Sequence, residues 1–96
     1  MKRSVLLFLT VLSALFLSCS RHRQESLQEA IEQGRGLYER KLYSEAIEVC
    51  SEAETMALKS RDMYSLGIIY QNIAHIYNAI GIHNEEIAYL DKAIRA

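Results

Sequence analysis

The stretch from Tyr70 to Ala93 constrains the fold more than any other part of this 96-residue chain. Its first half places apolar side chains three and four positions apart, which is the spacing of one buried face of an α-helix. Gly81 follows at a point where the end of a helix favours a left-handed residue without a Cβ atom. A second apolar stripe begins at Ile87. The stretch therefore predicts two helices that run antiparallel on either side of a glycine turn.

Capping signals divide the chain downstream of the N-terminal segment into four predicted helices, so the predicted class is all-α. The first helix is predicted from Gln24 to Arg40. The side chains of Ser44, Asp62 and Asn84 can accept hydrogen bonds from free N–H groups, so they are predicted to cap the second, third and fourth helices. Acidic residues after Asn84 suit the positive end of the last helix.

The same order of residue sizes occurs twice in the chain, forty residues apart. Gly34 corresponds to Ala74, and Ala46 corresponds to Glu86. A glycine inside a helix costs about 1 kcal/mol relative to alanine, so Gly34 is expected where a neighbouring helix packs directly on the backbone. The further matched pairs are Leu37 with Tyr77, Cys50 with Leu90, and Ala53 with Ala93.

This order of bulky, small, aromatic and turn residues resembles the tetratricopeptide repeat, and Tyr70, Ala74, Tyr77, Gly81 and Ala93 carry the resemblance. It implies antiparallel helical hairpins stacked as an α-solenoid of about two repeats over residues 27–96. Small residues allow two helix axes to approach closely. The chain departs from the family where an acidic residue replaces the small one early in the last helix. The alternative fold is a generic bundle of helical hairpins.

The N-terminus carries a different signal. Two basic residues precede an apolar run from Val5 to Leu17. Thirteen residues are short for a membrane span, and the run is typical of the core of a secretory signal. Residues 1–18 are therefore predicted to be a signal peptide that takes no part in the fold.

The sequence Leu17-Ser18-Cys19 resembles the processing site of bacterial lipoproteins. The resemblance implies cleavage before Cys19 and a diacylglycerol group on its sulfur, with residues 19–26 as lipid anchor and tether. Several acyl chains would anchor the protein stably. The alternatives are a plain secretory signal cut nearby and an uncleaved anchor.

Charge and composition argue against several functional classes. Removal of the signal peptide would leave nine basic and twelve acidic residues, a net charge of −3, without the basic stripe that nucleic acid requires. The chain has no glycine-rich phosphate loop, no Ser or Cys nucleophile with a plausible base and no paired carboxylates in an expected cleft, so it is not predicted to be an enzyme. Cys50 is expected in the core, and the three histidines lack metal-ligand spacing. No metal or cofactor is expected.

In stacked hairpins the first helix of each pair lines a concave surface. Positions carried over from the family place mixed polar and apolar side chains there, suited to an extended peptide or a partner helix. The predicted partner-binding residues are Arg35, Tyr38, Gln71, His75 and Asn78.

The sequence therefore predicts a membrane-anchored scaffold in the bacterial cell envelope that faces the periplasm and binds a protein or peptide. The alternative is the N-terminal sensing portion of a signalling or transcriptional regulator. Two repeats cannot bury both of their outer faces. We therefore expect the chain to be the N-terminal part of a longer array, or its open end to be covered by a partner or by a second copy.

The lipoprotein resemblance generates a first prediction. The Cys19→Ala change removes the thiol that would carry the lipid, so the protein should leave the membrane fraction or persist as an uncleaved precursor. Detergent partitioning and intact mass measure both outcomes. Unchanged partitioning and an unchanged mass would contradict the prediction.

Overall fold

The computed structural model describes residues 26–96, and this part of the chain is all-α. The predicted signal peptide, Cys19 and most of the predicted tether lie outside the described residues. Four helices follow one another: α1 (26–39), α2 (Tyr43–Ser60), α3 (Met63–Ala79) and α4 (His83–Arg95). No described helix is long and apolar enough to cross a membrane.

The three turns between these helices share one backbone geometry. Each contains a residue with positive φ: 62° at Lys41, 55° at Arg61 and 79° at Gly81. Each also closes with a hydrogen bond from the following N–H group to the carbonyl five residues earlier, the signature of a Schellman turn. These 2.9 Å bonds join Leu42 to Leu37, Asp62 to Ala57, and Ile82 to Tyr77. The turns are twenty residues apart, so the forty-residue repeat divides into two helix-and-turn units of equal length.

The turn geometry decides which predicted caps form. Asp62 caps α3 as predicted: its carboxylate accepts hydrogen bonds from the Ser65 N–H at 3.1 Å and from the Ser65 hydroxyl at 2.6 Å. The predictions that Ser44 and Asn84 cap α2 and α4 were wrong, because neither helix start has a side-chain capping hydrogen bond. The Schellman turns make Leu42 and Ile82 the capping residues, so both polar residues lie two positions after the cap.

Consecutive helices run antiparallel and pack through small residues. Gly34 of α1 lies against Cys50 of α2, while the rings of Tyr38 and Tyr43 meet at 5.9 Å near the turn that joins these helices. Four residues on one face of α2 are buried, and they allow α1 and α3 to approach its axis. The buried apolar residues are Leu27, Ala30, Ile31, Ala46, Cys50, Ala53, Ala57, Leu66, Ile69, Ile73, Ala74 and Ile76.

The last helix packs differently from its counterpart α2. Stacked rings of Tyr77 and Tyr89, 5.7 Å apart, and the approach of Ala93 to Gly67 hold α4 antiparallel to α3. None of the residues of α4 is buried. Its stripe of Ile87, Leu90 and Ile94 is exposed, because α3 occupies only the neighbouring face of α4 and no other described helix covers the stripe.

The cap of α3 generates a prediction about stability and pH. The hydrogen bonds from Ser65 lower the pKa of Asp62. The stabilisation from the cap is therefore present above the ordinary carboxyl pKa of about 4 and is lost as the pH falls through the lower folded value. Asp62→Ala should reduce the free energy of unfolding by about 1 kcal/mol at pH 7, as measured by urea unfolding.

Asp62→Asn is the matched control for this prediction. Asparagine caps helices about as well as aspartate, so it should retain most of the stability at pH 7 while losing the acid dependence. Equal stability of the alanine variant and the native chain would show that the cap contributes nothing.

The contact at Gly34 generates a prediction about packing. A Cβ atom at this position would lie 2.8 Å from the Cys50 sulfur. In the native background the overpacking cost of about 1–3 kcal/mol should cancel or exceed the helix-propensity gain of Gly34→Ala. In a Cys50→Ala background the same change should stabilise the chain by about 0.5–1 kcal/mol. A double-mutant cycle measures the difference, and identical effects in both backgrounds would rule out the contact.

Candidate functional site

A groove runs between α1 and α3, the first helices of the two hairpins. It encloses a cavity of about 220 Å³. Residues three or four positions apart share one face of a helix, and this spacing brings both sets of side chains to the same side of the molecule. The groove residues are Gly34, Arg35, Tyr38 and Glu39 from α1, and Asn72, His75 and Ile76 from α3.

The groove has an apolar floor and polar walls. Gly34 and Ile76 are buried, while Arg35, Glu39 and His75 are exposed. Gly34 contributes backbone to this floor, because the position of its missing side chain faces Cys50 of α2. Such a floor can hold an apolar group, and the walls can donate or accept hydrogen bonds around it.

Arg35 is loosely held in this structure. Its guanidinium lies 3.6 Å from the Glu32 carboxylate on the same helix, and both side chains are more than half exposed. Exposed pairs of this kind contribute little to stability. Arg35 can therefore turn toward a bound partner at small energetic cost.

Tyr38 is more firmly placed than Arg35. Its ring packs against Tyr43 at the α1–α2 turn, and it borders the hydrophobic core. A ring fixed in this way presents apolar surface without a large loss of side-chain entropy on binding. Aromatic and arginine side chains are the types that most often carry binding energy at interfaces.

Asn72 is a groove residue that the sequence analysis missed. Its side-chain Nδ2 atom is buried, and no described residue accepts a hydrogen bond from it. An unsatisfied buried donor of this kind costs about 1–3 kcal/mol. The available signal was a polar residue between Ile69 and Ile73 on an otherwise apolar helix face.

The structure brings together three of the five predicted partner-binding residues. Arg35, Tyr38 and His75 all line the groove. Gln71 and Asn78 are exposed on α3 outside the groove lining. The sequence pattern placed the five on one surface because it did not show how α3 is rotated against α1.

Asn78 belongs to a polar contact between α3 and α4. Its side chain donates a hydrogen bond to the Glu86 carboxylate at 2.8 Å, and His83 lies 3.1 Å from the other oxygen of that carboxylate. The hydrogen bond from His83, and with it that from Asn78, lowers the pKa of Glu86. This acidic residue, which replaces the small one of the first copy, therefore fixes the start of α4 by hydrogen bonding.

The remaining reactive group among the described residues is the Cys50 thiol. It is buried against Gly34, and burial raises its pKa to about 11. The thiol is consequently protonated at neutral pH and packs as a small apolar side chain. Residues 26–96 contain no cluster of His, Cys, Asp and Glu that could hold a metal ion.

Comparisons with known proteins add no assignment to this geometry. No family model matches the chain, and neither a curated protein nor a solved structure is detectably similar to it.

Proposed function

We propose that the chain is a membrane-anchored scaffold of tetratricopeptide-like hairpins that binds a protein or peptide in the groove between α1 and α3. The observation that carries the proposal is the groove itself, which combines an apolar floor with Arg35, Tyr38, His75 and an unsatisfied Asn72 amide. These groups are better suited to binding a peptide, through its backbone carbonyls and alternating side chains, than to catalysing a reaction.

The arrangement of the helices supports the solenoid part of the proposal. The helix α3 packs against α2 through the core and borders the groove with α1, so the second hairpin contacts both helices of the first. Stacked hairpins have this neighbour relation, and their first helices line one continuous inner surface. The equal spacing of the turns is a second supporting feature.

The proposed location is the bacterial cell envelope, with the hairpins facing the periplasm. The supporting features are the apolar run from Val5 to Leu17 and the lipoprotein-like sequence that ends at Cys19. A lipid on that sulfur would leave only a short tether before α1, so the groove would operate close to the membrane surface.

An alternative is that the hairpins form the sensing portion of a signalling or transcriptional regulator. The exposed stripe of Ile87, Leu90 and Ile94 on α4 favours this alternative, because further hairpins or a second copy could pack there. In both proposals the partner binds in the same groove. They differ in the response that binding of the partner produces.

Photo-crosslinking in intact bacterial cells tests the groove. A benzophenone amino acid placed at Glu39 lies at the groove wall, and the same group at Thr55 lies on the exposed face of α2 as a matched control. We expect a discrete adduct from position 39 that position 55 does not give. Arg35→Ala should weaken that adduct about five-fold or more, the effect of losing an interface residue worth about 1 kcal/mol.

Two results would contradict the groove as a binding site. One is the same set of adducts from both positions, which would indicate random collisions. The other is a position-39 adduct whose yield does not change in either Arg35→Ala or His75→Ala.

A further inference from the structure

One end of the bundle collects the start of α1, the α2–α3 turn and the end of α4. The antiparallel contact of Gly34 with Cys50 places the first residues of α1 beside the last turn of α2. The approach of Ala93 to Gly67 places the last turn of α4 beside the first turns of α3. We call this the proximal end, because the segment that precedes residue 26 joins the bundle here.

The proximal end exposes large apolar side chains at the α2–α3 turn. Leu58 is 50% exposed, Met63 is 51% exposed and Tyr64 is 81% exposed. At the opposite, distal end, the α3–α4 turn exposes its apolar side chains less: Ile80 and Ile82 are 40% and 44% exposed. The apolar residues at the proximal turn are thus accessible to a partner, and Tyr64 adds a ring with a polar tip, the type enriched at membrane–water interfaces.

Basic residues alternate with these apolar ones. The turn reads Leu58-Lys59-Ser60-Arg61-Asp62-Met63-Tyr64. The acidic member, Asp62, has both carboxylate oxygens engaged by Ser65. At the distal end the basic residues Arg40 and Lys41 are instead flanked by Glu39 and Glu45. The proximal turn therefore combines apolar and aromatic side chains with a local excess of positive charge.

The length of the tether also distinguishes the two ends. If Cys19 carries the lipid, six residues lie between it and Ser26, the first described residue of α1, and the seven Cα–Cα steps reach at most about 25 Å. The fourteen described residues of α1 span about 21 Å. Contact of the proximal end with the membrane requires little of the tether length, whereas contact of the distal end requires almost all of it.

We propose that Leu58, Met63 and Tyr64 insert into the headgroup region of an anionic lipid bilayer, with Lys59 and Arg61 against the lipid phosphates. In this orientation the proximal end contacts the bilayer, and the long axis of the α1–α3 groove points away from the membrane. This inference rests on the proposed membrane anchor and adds a second point of attachment, which sets the orientation of the hairpins.

Single-tryptophan reporters test the contact, because the chain contains no tryptophan of its own. The full chain carrying Tyr64→Trp is purified with its lipid and reconstituted into phosphatidylcholine–phosphatidylglycerol vesicles that contain lipid brominated near the headgroup. The Ile82→Trp variant is the matched control at the distal end. Flotation of the same samples measures membrane attachment independently, and circular dichroism verifies that both variants are folded.

We expect both variants to float. The fluorescence emission maximum of the tryptophan at position 64 should shift to shorter wavelength. Its quenching by brominated lipid should exceed that at position 82 about two-fold or more, as expected for groups buried 5–10 Å into the interface. Lys59→Gln in the Tyr64→Trp chain should reduce the quenching when phosphatidylglycerol is present and leave it unchanged in pure phosphatidylcholine.

The remaining outcomes separate the two proposals. Floating chains with weak or equal quenching at both positions would overturn insertion of the proximal turn and leave the anchor intact. Chains that do not float would overturn both the anchor and the inserted turn. Quenching confined to position 82 would mean that the bundle meets the bilayer with its distal end.

Discussion

The close packing of α1 and α3 on the small-residue face of α2 is the interaction on which the rest of this structure depends. Ala46, Cys50, Ala53 and Ala57 present little volume, so the neighbouring helices approach the α2 axis directly. Gly34 extends the same principle to α1, where the Cys50 sulfur occupies the space of a missing side chain. Larger residues at these positions would separate the first helices of the two hairpins and open the groove that lies between them.

The two ends of the described chain differ because this packing is complete on one side only. The helix α2 is covered by α3, whereas α4 uses Tyr89 and Ala93 to contact α3 and leaves its isoleucine and leucine stripe exposed. At the start of α4 the Glu86 carboxylate accepts a hydrogen bond from Asn78 and also contacts His83. At the second hairpin this hydrogen bonding thus adds to the Tyr77–Tyr89 stack and the approach of Ala93 to Gly67.

Much of the fold could be predicted from the sequence, since helical periodicity, Gly81 and the Asp62 cap are signals within a few residues. The false caps at Ser44 and Asn84 had a different origin. In both cases the capping residue follows directly after a positive-φ residue, Lys41 or Gly81, and therefore lies two residues before the predicted cap. The residue type of Lys41 does not indicate positive φ, and Gly81 alone does not show which following residue begins the helix. The site was predicted in part, since Arg35, Tyr38 and His75 share the groove. The rotation of α3 against α1, which places Gln71 outside the groove and buries the Asn72 amide, depends on tertiary packing.

The even spacing of the turns has a consequence for how this chain tolerates change. Its turns are closed by backbone hydrogen bonds and do not require glycine at the positive-φ position, since a lysine, an arginine and a glycine occupy equivalent places. The fold is less tolerant of changes in helix length. One residue inserted within α3 would rotate the following part of that helix by about 100°, carrying His75 away from Arg35. The alignment of the groove is therefore more sensitive to insertions and deletions than to substitutions at the turns.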